Sequence, residues 1–289
     1  MAKLTQLPKL EPRWRHSVGD HVIDLCWSPD GSLVAAASVS GPIRVFGVPT
    51  GELKCELPGH NFGTTALSWH PDGKTLASAG QDRHARFWDI ATGKERLALD
   101  GGSAWVEHLA WSPRGDFLLT AAGKKLKLWQ ADGTLVREYP PESHTIAGVE
   151  WGAKGKVFVI CGYGGVKFFF PTRDEPSDVF EWKGSIIGMS WSPDSTMLAG
   201  GGQDATVHFW YTKTGEDLQM SGYPSKIREL SWDSTSRFLA TTGGERVVVW
   251  DCSGDGPAGS SPLMLQYHEK PISSVRFQRA GLLLASGCP

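Results

Sequence analysis

Three residues in the first third of the chain have the side-chain types of a hydrolytic triad. His60, Ser78 and Asp82 supply an imidazole, a hydroxyl and a carboxylate, the set used for nucleophilic acyl transfer when the three converge on an open pocket. Other reactive groups are scattered. The nine histidines contain no HxH or HExxH grouping, and the five cysteines (Cys26, Cys55, Cys161, Cys252 and Cys288) have neither close pairs nor metal-type spacing. No metal site and no cofactor is therefore expected, and the cysteines are expected to be reduced, mostly buried thiols. Two Gly-rich sites, Gly162 to Gly165 and Gly200 to Gly202, lack the lysine of a phosphate loop and are expected to be strand-end turns.

The elements that position His60, Ser78 and Asp82 belong to a repeat. Gly59 to Asp89 contains an apolar run ending at Trp69, a Pro-Asp-Gly turn, a second run holding Ser78, a turn with Asp82, and a third run closing on Trp88-Asp89. The aromatic of the first run recurs as Trp27, Trp69, Trp111, Trp151, Trp191, Trp232 and Phe277, at intervals of 42, 42, 40, 40, 41 and 45 residues. A second series, Phe46, Trp88, Trp129, Phe169, Trp210 and Trp250, keeps phase with it. Within the runs, Val207 with Phe209 and Leu126 with Leu128 alternate as half-buried strands do. Burying each such side chain contributes roughly 1.5 to 3 kcal/mol, so the periodic tryptophans read as packing between repeats rather than as a ligand stack.

A period of 40 to 45 residues with four strands to a unit, closing on Trp-Asp at Trp88-Asp89 and Trp250-Asp251, resembles the WD-repeat β-propeller family. The resemblance runs from about His21 to the last residue. It implies an all-β fold, a β-propeller of four-stranded antiparallel blades. Residues 21–289 give six full repeats and a partial seventh from about residue 268, so the ring is expected to be seven-bladed with its last blade incomplete. A six-bladed ring with an aberrant end, or a third strand supplied by Leu4 to Leu10, are the alternatives. Residues 1–20 are expected to hold a latch strand that closes the last blade, with Trp14 as its anchor. The fourth repeat departs most, since Gly152-Ala153-Lys154-Gly155 replaces the Ser-Pro-Asp-Gly type of turn seen at Ser28 to Gly31.

The resemblance also reassigns the apparent triad. In this family a His before the first strand, a Ser or Thr in the second, an Asp in the next turn and a Trp in the third form a buried hydrogen-bond network, and His60, Ser78, Asp82 and Trp88 match all four positions. Only the second repeat has the full set; the fifth has Gly200 in place of the serine, and the sixth has Gly244 in place of the aspartate. A buried serine has no access to substrate, so catalysis is not expected. A propeller hydrolase with a metal in the central channel is the contrasting reading, and one module of a longer regulatory protein is a third.

Twenty-nine basic against thirty-one acidic residues give no electrostatic case for nucleic acid or an anionic membrane. Met1 to Lys9 lacks an apolar block and does not read as a signal peptide. The expected function is that of a cytoplasmic interaction scaffold or adaptor whose loops meet a protein or peptide partner. The position six residues before the first-strand aromatic holds His21, Gly63, Trp105, Thr145, Ser185, Lys226 and Pro271 in turn. Trp105 is the candidate anchor, against the alternative that it packs on a neighbouring loop. His21, Lys226, Gln81, Arg83, His84 and Gln203 complete the candidate binding set.

Overall fold

A computed structural model describes residues 11–254, 257 and 260–289, and every regular element among them is a β-strand. The second blade shows how a repeat folds. Its strands Thr64–Trp69, Thr75–Gly80, His84–Asp89 and Lys94–Asp100 pair antiparallel in chain order. The first turn is closed by the N–H of Gly73 donating to the carbonyl of His70 at 3.0 Å, with Gly73 at a φ of +69° that glycine adopts without steric cost. All six residues of Thr75–Gly80 are buried, whereas Lys94–Asp100 is largely exposed. Burial thus falls from the inner strands to the rim, and the apolar runs of the sequence mark the inner ones.

The same turn is made at Ser28 to Gly31, Ser112 to Gly115 and Ser192 to Ser195. The fourth repeat makes it too, its Gly155 N–H reaching the Gly152 carbonyl at 2.8 Å, so the altered turn sequence costs no blade. In that repeat the second and third positions form one stretch, Phe158–Phe169, bent at Gly164 and Gly165 with φ of +92° and +118°. The next strand, Asp178–Trp191, serves as the outer strand of the fourth blade and then the inner strand of the fifth. Those two blades therefore form a single six-stranded sheet, beside four four-stranded sheets and one of two strands.

Seven inner strands close into a circle. Val22–Trp27, Thr64–Trp69, His108–Trp111, Gly148–Trp151, Asp178–Trp191, Leu230–Trp232 and Ser274–Phe277 each touch the next, and the last touches the first. The ring is thus seven-bladed, with two strands of the seventh, Ser274–Phe277 and Leu284–Gly287, among the described residues. The periodic tryptophans stitch it. Indole N–H groups of Trp69, Trp151 and Trp232 donate to carbonyls of Cys26, Ala110 and Ser190, each on the inner strand of the preceding blade, at 3.0 to 3.1 Å. Trp27 does the same to Arg276 at 2.9 Å.

Residues 11–20 form no strand. Trp14 donates its indole N–H to the Val48 carbonyl at 2.8 Å and packs near Phe46 of the first blade. It shares an apolar cluster with Trp27 and with Leu283 and Ala285 of the seventh. The anchor is thus seated at the junction of first and last blades, and residues 11–20 reach it without forming a strand. The alternative strand at Leu4 to Leu10 lies outside the described residues.

Candidate protein-interaction face

Reactive-looking groups of the second blade are tied to one another. His60 Nδ1 lies 2.8 Å from the Asp82 carboxylate and its Nε2 lies 2.7 Å from the Ser78 hydroxyl, which accepts the Trp88 indole N–H at 2.7 Å. Ser78 is wholly buried, so its hydroxyl meets no substrate. Arg86, which the sequence did not single out, donates to Asp82 at 2.9 Å and also to Glu95. Burial opposes ionisation of Asp82, but the hydrogen bonds from His60 and Arg86 outweigh it and hold the carboxyl down to about 2. Burial lowers the His60 imidazole, against the pull of Asp82.

Other blades use substitutes. Thr120 and Thr241 occupy the register of Ser78, each two residues beyond the partner of its blade's third-strand tryptophan. Trp129 donates to the Thr120 hydroxyl at 2.9 Å. In the sixth blade Trp250 donates to the Tyr223 hydroxyl, which bonds Thr241, both at 2.8 Å. The sixth blade, with Gly244 in place of the aspartate, thus keeps a hydrogen-bonded tryptophan through a residue of another type: Tyr223 precedes Thr241 by the same 18 residues that separate His60 from Ser78, a spacing that could have revealed it. His268 and Ser286 pair at 2.7 Å in the seventh. In the fifth, a Cβ on Gly200 would lie 2.8 Å from the Trp210 ring, so the indole fills the serine's space, and Asp204 bonds Thr206 within its own turn.

The inner strands also gather charge that the repeat pattern hid. Glu150 and Arg276 stand one residue before the strand aromatic and Asp24 and Glu229 three before, which the two-residue period of a strand places on one face. Arg276 donates to Asp24 at 2.9 Å and to Glu229. Glu150 accepts the Trp191 backbone N–H at 2.9 Å, and burial pushes its carboxyl up to about 8. These carboxylates are committed to internal partners, and among the described residues no three His, Cys, Asp or Glu groups come together as metal ligands.

Loops before the inner strands and turns between second and third strands form one face. Backbone bonds knit them: Val39 to His21, Gln81 to Gly63, Val106 to Gly80, Ile146 to Gly123, Gln203 to Ser185, Ile227 to Gly202 and Ile272 to Gly244, all between 2.8 and 3.2 Å. His21, Arg83, Gln203 and Lys226 are exposed on this face, Gln81 and His84 half-buried. Trp105 is 54% exposed, and two aromatics that sequence reading passed over are more so, Phe62 at 81% and Tyr163 at 60%. Neither sits at the ring position used in the sequence comparison, which is why it missed them. Phe62 is held at a φ of +69°, an uncommon conformation for a bulky side chain.

A profile described as the IFT122 first beta-propeller matches residues 21–289. The chain is 24% identical over 173 residues to the intraflagellar transport protein 80 homolog of Mus musculus, covering 59% of this chain and 22% of that protein. It is 25% identical over 146 residues to the F-box-like/WD repeat-containing protein TBL1X of Mus musculus, covering 50% and 27%. It is 26% identical over 181 residues to pre-mRNA-processing factor 19 of Oryza sativa subsp. japonica, covering 59% and 34%. The chain thus matches about a fifth to a third of the length of these relatives. Among the described residues no helix is long and apolar enough to cross a membrane.

Proposed function

The chain belongs to the IFT122 first beta-propeller family of WD-repeat propellers, and from that premise we propose that it is a non-catalytic, cytoplasmic interaction scaffold whose loop face docks a protein or peptide. The observation that carries this reading is the outward display of Phe62, Trp105 and Tyr163 on one face, large aromatics of the kind that anchor binding hot spots. Phe62 supports it further, since a strained backbone that holds an apolar ring in water gains nothing for the fold. The ring beneath is cross-linked blade to blade, so the loops are preorganised and little ordering cost attends binding. The candidate residues His21, Gln81, Arg83, His84, Gln203 and Lys226 form the polar surround of that surface. The short share of each relative that the chain covers favours one propeller module within a longer protein.

The test is site-specific photo-crosslinking in cells. A crosslinker replacing Ser103, beside Trp105, is expected to capture a partner, whereas one replacing Asp132, in a turn of the opposite face, is not. Adducts from Asp132 alone would overturn the choice of face.

A further inference from the structure

Exposed charge on the loop face is unevenly distributed. Around the fifth, sixth and seventh blades stand Lys183, Lys226, Arg228, Arg246 and Lys270, all exposed and none in an ion pair among the described residues. The loops are contiguous, because Ile227, between Lys226 and Arg228, bonds the Gly202 turn, and Ile272, following Lys270 and Pro271, bonds Gly244 next to Glu245 and Arg246. Five cations therefore stand in one sector, against the carboxylates of Asp204, Glu245 and Glu269 on the same loops. This is the local basic surface that the balanced composition of the whole chain conceals.

Trp105 and Lys226 hold the same repeat position, in the third and sixth blades of a seven-membered ring, and so face each other across the channel mouth. Between them, Arg228 and His108 are near enough that Arg228 adds to burial in lowering the imidazole, down to about 4, so His108 carries no charge into the mouth near neutral pH. Resting on the reading of this face as a docking surface, we propose that its partner is an extended acidic peptide that crosses the channel mouth, setting an apolar side chain on Trp105 and Phe62 and its carboxylates among Lys226, Arg228, Arg246 and Lys270. Charge complementarity fixes the direction of the chain: apolar end over the second and third blades, acidic end over the sixth and seventh. An extended peptide can weave past Asp204, Glu245 and Glu269, placing its charges only where cations stand. An anionic bilayer or a nucleic acid backbone, with charge at fixed density, meets those three carboxylates repulsively.

A random peptide library selected on the protein tests this. Enriched sequences are expected to carry Asp or Glu in excess next to an apolar residue. Their affinity should fall about tenfold or more in the Lys226→Glu/Arg246→Glu double variant and weaken with added salt. If the reversal unfolds the protein, Lys226→Gln with Arg246→Gln gives the same readout. Selected peptides without an acidic excess, peptides indifferent to the charge changes, or no enrichment at all would overturn the inference. So would phosphatidylserine vesicles or single-stranded RNA binding the wild type and not the double variant while no peptide does. Peptides that lose affinity in Trp105→Ala but not on charge reversal would leave the docking face standing and remove only the acidic partner; peptides indifferent to both remove the face as well.

Discussion

The indole N–H of Trp27 donates to the carbonyl of Arg276 at 2.9 Å, a bond between residues 249 apart that joins the first blade to the last. The Arg276 side chain reinforces the same seam, bonding Asp24 of the first blade and Glu229 of the sixth. Arg276→Met would leave two carboxylates in the channel wall without their shared cation. Breaking a largely buried pair in this way costs about 3 kcal/mol, and the expected outcome in urea denaturation is a lower midpoint with a near-normal far-UV spectrum. A loss smaller than that of a rim substitution such as Lys94→Met would show that the ring closes without this clamp.

Asp82→Ala removes the acceptor shared by His60 and Arg86 and leaves the imidazole Nδ1 buried without its partner. The expected loss is on the order of 1 to 3 kcal/mol. Asp204→Ala in the fifth blade is the internal control. Asp204 is exposed and its carboxylate bonds the Thr206 hydroxyl of its own turn, so the expected loss is about 1 kcal/mol or less. Equal losses at the two sites would contradict the special standing of the second blade.

The sixth blade offers a sharper case. Tyr223→Phe keeps the ring but deletes the hydroxyl that accepts the Trp250 indole and bonds Thr241. An orphaned indole N–H in a half-buried site is expected to cost roughly 1 to 2 kcal/mol by thermal unfolding. A wild-type melting temperature would mean that Trp250 finds another acceptor.

Asp82 also makes stability depend on acid. Its folded pKa of about 2 lies below the unfolded value near 3.9, so between these values the unfolded chain binds more protons. The contribution is therefore complete above about pH 4 and is lost as pH falls toward 2. The stability gap between wild type and Asp82→Asn should be level near neutrality and should narrow below about pH 4. His60 acts in the same direction at higher pH: its pKa is lowered in the fold, so its neutral form favours folding above the unfolded value near 6.5 and that support fades as pH drops below it. A wild-type stability that is level from neutrality down through about pH 5 would contradict the His60 assignment.

Two in-phase aromatic series were enough to read seven inner strands from the sequence, because each tryptophan must fill the same gap between adjacent blades. The network of His60, Ser78, Asp82 and Trp88 was legible for the same reason, since a repeated backbone places equal spacings at equal sites. What escaped was whatever changed residue type or register. Tyr223 does the work of a histidine with a different group, and a shorter turn brings Thr120 to nine residues before its tryptophan, where Ser78 stands ten before. Arg276 meets Asp24 only because the ring closes, and no local pattern records that. Phe62 lies on a loop and Tyr163 beside the bend at Gly164 and Gly165, where composition carries no period to follow.

Trp105 separates binding from folding. Its ring is 54% exposed, while the adjacent Val106 is buried, donates to the Gly80 carbonyl at 3.2 Å and accepts the Thr65 hydroxyl at 2.6 Å. The loop is thus held by its neighbour. Trp105→Ala should therefore change stability by no more than about 0.5 kcal/mol, whereas loss of an aromatic anchor costs a partner 2 kcal/mol or more, roughly a thirtyfold loss of affinity. Melting temperature and partner affinity measured on the same preparation decide the matter. If Trp105→Ala lowers the melting temperature as far as Asp82→Ala does, Trp105 is a packing residue and the aromatic anchor must be sought at Phe62 or Tyr163.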